Sequence, residues 1–481
     1  SSSSSPLWTS LLTGFYFIFG SKNAIPLLMN IFFGTASLLM ITHYLNKYGV
    51  GRLSSSIFMI ILVLVAPFTF LTFTGMEHLM HIFFSVWFIF VAMENLTGNR
   101  TISRDILLLA LSVLVCASRY EGLFLVLGAC IFFFFYKKRY FFSINLGLVA
   151  LLPLAIYGLI SLAKGWFFLP NSVYLKGNEP ELLSVKGIIK ALGYDALLRT
   201  VIVPENLILI LLVLVFFIVY YKYSGYIYTN FTVFFSLFII NFLLHMQYSY
   251  VIFFHRYTAY LMTLGGIGIL LALNTLSKNY FEKNMTEFLK EIYKNNRITY
   301  AVLLVLTIMF VFSPYILRTW KALNYTITGT KNIYEQQYQM SRFLDSYYDK
   351  EKVAANDIGL INYNADIDCF DIWGLGNYQV LKNIKEGNFT TRMIDSLSRE
   401  ENVKIAVIYD NWIARAGGVP SRWVKAGNWT IQNNLICGGP TVSFYAVNPK
   451  ELDELINNLR KFKDELPSSV EQTGPYLESS N

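Results

Sequence analysis

FFSINLGLVALLPLAIYGLISLA, residues 141–163, is an apolar run of 23 residues separated by Tyr140 alone from Lys137-Lys138-Arg139. About 20 such residues cross the hydrocarbon core of a bilayer as a helix, and backbone polar groups in lipid are satisfied only within helices or closed barrels. Working outward, similar runs occur at 6–20, 24–45, 54–74, 76–93, 103–118, 121–136, 204–221, 226–250, 255–274 and 299–317. The chain therefore predicts a multi-pass α-helical membrane protein. Composition agrees, with 54% hydrophobic, 17% aromatic and only 15% charged residues, against about a quarter charged in soluble domains.

The formal charge of +8 is modest. It concentrates in short loops between apolar runs, as in cytoplasmic loops, and is not a nucleic-acid footprint. Lys137-Lys138-Arg139 and the 275–298 loop, with Lys278, Lys283, Lys290, Lys294 and Arg297, set the orientation. Alternation then places the start of the run at Gly75, the turn at 118–121, the 164–203 loop and everything after 318 outside the cytoplasm. The count puts Ser1 inside. No initiator Met precedes the five opening serines, and a segment upstream of Ser1 is expected.

After Pro314 the pattern changes. Residues 331–347 and 449–463 predict helices; 353–355, 367–372, 404–409 and 442–447 predict short strands. The expected organisation is a transmembrane module over 1–318, an extracytoplasmic α/β domain over 319–466 and a polar tail over 467–481. Cys116 and Cys130 lie in apolar runs; Cys369 and Cys437 lie in the α/β part, where pairing stays open.

Ionisable residues in or beside membrane helices are costly, and function is their default reading. Four groups fall on the outer side: Glu77, His78 and His81; Arg119-Tyr120-Glu121-Gly122; Pro170-Asn171 through Lys176; and His255-Arg256-Tyr257. Each has a plain structural alternative: an interfacial cap, a paired turn, a turn signal, or side chains reaching toward headgroups. Glu77-x-x-x-His81 supplies two metal ligands without a third at fixed spacing. Three cations (Arg119, Lys176, Arg256) with carboxylates at one membrane face suit a phosphate. Trp373, Trp412, Trp423 and Trp429 offer sugar-stacking faces, and core packing explains them equally well.

In order, Ser5-Pro6-Leu7-Trp8, Gly75-Met76-Glu77, Arg119-Tyr120-Glu121-Gly122, Leu169-Pro170-Asn171-Ser172-Val173-Tyr174-Leu175-Lys176, His255-Arg256-Tyr257, Asn356-Asp357-Ile358-Gly359 and Asp371-Ile372-Trp373-Gly374-Leu375 resemble the GT-C membrane glycosyltransferases. The likeness is to those related to the mycobacterial terminal arabinofuranosyltransferase, and it runs over nearly the whole chain. It implies transfer of a sugar from a polyprenyl-phosphate donor to a hydroxyl of a glycan, lipid or protein acceptor, on the outer face of a bacterial plasma membrane.

In that family the catalytic base is an Asp or Glu in the first outer loop, which would lie upstream of Ser1. Within these residues Glu77 is the fallback. The resemblance also places Ser5-Pro6-Leu7-Trp8 outside, against the charge count. Arg119, Lys176 and Arg256 are assigned to the donor phosphate, and Glu77, His78, Glu121, Asn171 and His255 to substrate or to holding those cations. No cofactor is certain; some relatives use a divalent metal, and no ligand set is visible here. The competing expectations are a transporter or flippase of lipid-linked sugars, and a non-catalytic membrane scaffold with a binding ectodomain.

Overall fold

The computed structural model describes residues 3–176, 193–224, 229–251, 254–276 and 297–478. The chain divides into two compact units. One holds residues 3–160 and 176–323, the other 161–175 and 324–481.

The first unit is helical: α1 (Pro6–Phe19), α2 (Ala24–Lys47), α3 (Arg52–Val65), α4 (Phe68–Phe73), α5 (His78–Thr97), α6 (Ile102–Ser118), α7 (Gly122–Ile131, widened into a π-turn over Phe132–Tyr136) and α8 (Tyr140–Ala163). Beyond the short α9 (Asn171–Lys176), which belongs to the other unit up to Leu175, come α10 (Asp195–Ile202), α11 (Pro204–Ser224), α12 (Asn230–Tyr248), α13 (Ala259–Leu276) and the start of α14 (Arg297–Ile333). Among the described residues, six helices are long and apolar enough to cross a membrane: α2, α5, α8, α11, α12 and α13.

Helix α5 is the core. It packs against α2, α6, α12 and α13, and 83% of its apolar window is buried, against 22% for α8. An apolar helix buried so unequally faces protein on one side and lipid on the other only at the periphery. α2 and α5 run parallel. Asn30 of α2 donates to the carbonyls of Leu71 and Thr72 (3.2 Å each), just before α5. At the opposite end Lys47 pairs with Glu94 at 2.6 Å.

The run read at 54–74 is two helices, α3 and α4, because Pro67 interrupts it after Ala66 and proline denies a helix both its N–H and its steric room. α1 has 14 residues and α6 has 17, short for an untilted span. The expected break after Pro314 is not there. α14, 37 residues long, runs through it, and the division between units falls within this helix, at Leu323/Asn324.

The second unit is built on a six-stranded sheet ordered β2-β1-β3-β5-β4-β6, with β1 (Lys352–Ala355), β2 (Asp368–Asp371), β3 (Ile405–Ile408), β4 (Val424–Thr430), β5 (Thr441–Ala446) and β6 (Glu471–Thr473). β1 pairs in parallel with β2 and β3, and the remaining pairings are antiparallel. Both faces are covered. Phe343, Trp429, Phe444, Phe462 and Tyr476 fill one side, and Phe370, Ile394, Trp423 and Tyr445 the other.

Two strands departed from expectation. β4 is hidden in sequence by Gly427-Asn428, where a bulge between Lys425 and Gly427 shifts the register. Residues 471–478 are no free tail. β6 pairs with β4, and a Cβ on Gly427 would meet the buried Tyr476 ring at 2.4 Å. Cys369 and Cys437 are unpaired; burial pushes both thiols up to about 12.

Asp371, at the end of β2, caps the Trp373–Gly376 turn, accepting from the backbone N–H of Trp373 at 2.7 Å and of Gly376 at 2.5 Å. Burial raises its carboxyl, and the surrounding N–H groups offset only part of that rise. The folded unit thus holds this proton more tightly than the unfolded chain. Its stability should fall as pH rises from the ordinary carboxyl value, about 4, through the folded one. Asp371→Asn is expected to flatten that stretch of the unfolding-midpoint profile. An unchanged slope would assign it to another group.

Candidate functional site

At the bundle end where α5, α7, α11 and α13 begin and α6 and α12 finish, charged groups meet in the interior. Arg119 follows the last turn of α6, Glu121 precedes α7 and Glu77 precedes α5. The Arg119 guanidinium donates through one Nη to Glu77 and through the other to Glu121, the latter at 2.6 Å. Arg119 and Glu77 side chains are only 6% and 7% exposed. A buried group of one cation and two carboxylates carries a net negative charge, so it is stable only with further donors or cations nearby. Ser249, capping α12, supplies one by donating to Glu121 Oε1 at 3.0 Å.

Glycine makes this geometry accessible. Gly122 N–H closes the turn onto Arg119 O at 2.9 Å, and any Cβ at 122 would sit 2.5 Å from Val115 O, closer than real contacts allow. Gly75 at φ +64° turns the chain into Met76 and Glu77, in the left-handed region glycine occupies without cost.

A second cation joins through an aromatic ring. Tyr257 lies 4.9 Å from the Arg119 guanidinium and 5.1 Å from that of Arg256. The His78 ring meets Tyr257 edge-on at 5.6 Å. Arg256 also approaches Met76 Sδ at 3.1 Å. Thus Glu77, His78, Arg119, Glu121 and Arg256 form one constellation.

Deeper in the bundle His81 Nδ1 bonds Ser118 Oγ at 2.9 Å, so it turns away from Glu77. Tyr260 OH bonds His245 Nδ1 at 3.0 Å and Asn241 Oδ1 at 3.3 Å. His78 Nε2, His245 Nε2 and Asn241 Nδ2 are buried without a hydrogen-bond partner among the described residues. Such groups are costly unless something polar completes them. No group of three or more His, Cys, Asp or Glu suited to a metal occurs among the described residues.

His255 belongs to an adjoining node that sequence reasoning missed. Its Nδ1 lies 3.4 Å from Glu205 Oε1, the carboxylate in the first turn of α11. Arg318, from α14, donates to Glu205 Oε1 (3.3 Å), to the His255 carbonyl (2.9 Å), to Thr258 Oγ1 (3.2 Å) and to the Val65 carbonyl (2.8 Å). His255 sits at φ +58°. This node fixes the turn that delivers Arg256 and Tyr257. The available signal was Arg318 one residue beyond an apolar run and Glu205 directly after Pro204 at the start of another.

Asn171 lies in the sheet unit, where its Nδ2 donates to the Gly374 carbonyl at 3.0 Å. The Lys176 side chain lies outside the described residues. Among the tryptophans, Trp423 and Trp429 are core residues at 5% and 0% exposure. Trp373 and Trp412 are half-buried and pack together at 4.8 Å, with Arg415 over Trp373 at 3.9 Å.

A groove between α1 and α2 encloses about 570 Å³ and is lined by apolar side chains, including Leu11, Phe15, Phe19, Met29 and Phe33, with Lys22 as its one charged lining residue. Lys22 lies just before α2, about two turns from Asn30, and a Cβ on Gly75 would meet Pro26 of α2 at 3.6 Å.

Residues 331–445, within the second unit, match a family described as a domain of unknown function (DUF8728). No curated protein matches the chain.

Proposed function

We propose that this chain is a multi-pass membrane glycosyltransferase that moves a sugar from a polyprenyl-phosphate donor to an acceptor hydroxyl at the extracytoplasmic face. The observation that carries the proposal is the constellation of Glu77, Arg119, Glu121 and Arg256 at one bundle end, in a protein with six helices able to cross a membrane. Scaffold proteins have no need of convergent buried charge, which is costly to hold. The apolar groove ending at Lys22 adds support, since a long isoprenoid chain wants apolar walls and its phosphate a cation at their mouth.

In such a transfer the bond between the sugar C1 and the phosphate oxygen breaks. The acceptor oxygen bonds to C1 and its proton goes to a base. The departing phosphate keeps the electron pair and gains about one unit of negative charge. Groups that meet this growing charge lower the barrier. Arg256 suits that role by position: it lies against Met76 beside Glu77 and shares the Tyr257 ring with Arg119. Arg119 is committed to two carboxylates and organises the site. Glu77, held by Arg119, suits anchoring better than proton abstraction.

The test is transfer from radiolabelled polyprenyl-phosphate sugars to membrane acceptors by full-length protein. Arg256→Ala is expected to lower kcat/KM by about 10²–10³-fold, with its unfolding midpoint unchanged. No transfer from any donor across a broad panel would reject the enzyme, and full activity in Arg256→Ala would reject the role of Arg256.

A further inference from the structure

The opposite end of the bundle carries a different site. Residues 98–105, which include the first turn of α6, and 136–140 contain five cations, Arg100, Arg104, Lys137, Lys138 and Arg139, and one carboxylate, Asp105. That carboxylate is fully engaged: Arg139 donates to both oxygens (3.1 and 2.5 Å), Arg100 Nε to one (3.2 Å) and Asn95 to the other (2.9 Å). Lys137 and Lys138 have no acidic partner among the described residues. Lys138 adopts φ +52°, a left-handed turn that brings it to the start of α8.

Beside this turn opens a cavity of about 510 Å³, lined by Arg100, Lys138, Arg139, Tyr140, Phe141 and Asn145. Its floor includes the first turn of α8, where Ser143 is the first residue whose N–H reaches a carbonyl one turn back, that of Arg139. The N–H groups of Tyr140, Phe141 and Phe142 precede the helical ladder, and helix starts of this kind attract anions. The lining is also aromatic: Phe141 is 84% exposed, and Phe135, three residues before Lys138 in the chain, is 74% exposed.

We propose that this cavity binds the phosphodiester headgroup of an anionic phospholipid, with Lys138 and Arg100 taking the phosphate and Phe135 and Phe141 lying along its acyl chains. Arg139 is a positioning residue, fixed by Asp105 and stacked 4.1 Å over Phe142. A soluble anion would use the cations but leave the exposed aromatic rim without a role; a lipid uses both. The proposal rests on the membrane reading alone and is independent of the sugar-transfer chemistry.

The chain would be reconstituted in phosphatidylcholine nanodiscs containing a graded fraction of phosphatidylglycerol, and retained lipids counted by native mass spectrometry. Phosphatidylglycerol should be retained selectively. Each cation near an anionic headgroup is worth roughly five-fold, so Lys138→Gln should lose about five-fold of that preference and Lys138→Gln/Arg100→Gln about 25-fold. Lys164→Gln, just beyond the far end of α8, should lose none. Undiminished selectivity in the double variant, loss in Lys164→Gln instead, or displacement of the lipid by excess inorganic phosphate would each overturn the assignment. Failure of the chain to enter nanodiscs would overturn the membrane reading with it.

Discussion

Arg119→Ala is expected to destabilise the helical unit by about 3–5 kcal/mol, the usual cost of stripping one partner from a buried ion pair. The reason is the two carboxylates left behind. Glu77 and Glu121 share the Arg119 guanidinium, and without it they face each other in a buried site bordered by Ser249 and the Tyr257–Arg256 pair. Intrinsic tryptophan fluorescence in detergent would follow the unfolding midpoint. Arg119→Met combined with Glu77→Gln and Glu121→Gln removes all three charges and should recover most of the loss, since neutral replacement of a buried ionic group is often tolerated. That neutral variant should still fail in transfer, which separates the role in folding from the role in function. A wild-type midpoint for Arg119→Ala would mean that water reaches the carboxylates, and the site is open.

How much of this was visible in the sequence depends on the range of the contact. Glu77, Arg119 and Glu121 could be grouped because each ends an apolar run on the same predicted side, and alternation of spans alone brings such ends together. The strands β1, β2, β3 and β5 announced themselves as short β-branched or apolar runs. β4 did not, because Gly427 and Asn428 interrupt its pattern where the Tyr476 ring needs the space. The node of Glu205, His255 and Arg318 could not be paired from sequence, since 63 residues separate Arg318 from His255 and 113 separate it from Glu205. Pro314 was misleading in the other direction. Proline usually ends a helix, yet α14 passes through it and so carries Arg318 to its partners.

Arg318 carries the second large expected effect. Its side chain is 1% exposed and donates to the Val65 and His255 carbonyls, Glu205 and Thr258, so it joins the end of α3, the start of α11, the turn before α13 and α14. Arg318→Met preserves most of the apolar volume but leaves the Glu205 carboxylate with His255 as its remaining side-chain ionic partner among the described residues. It also leaves two carbonyls without their donor. A loss of about 3–5 kcal/mol is expected. Glu205→Gln added to Arg318→Met should return a large part of it, a coupling that a double-mutant cycle measures directly. Because the His255 carbonyl is one of the lost acceptors, Arg256 and Tyr257 should also shift. In conditions where Arg318→Met/Glu205→Gln is folded, transfer should remain depressed through kcat rather than KM. Recovery of both stability and kcat in the double variant would mean that the turn holds its shape without Arg318, and that the node serves stability alone.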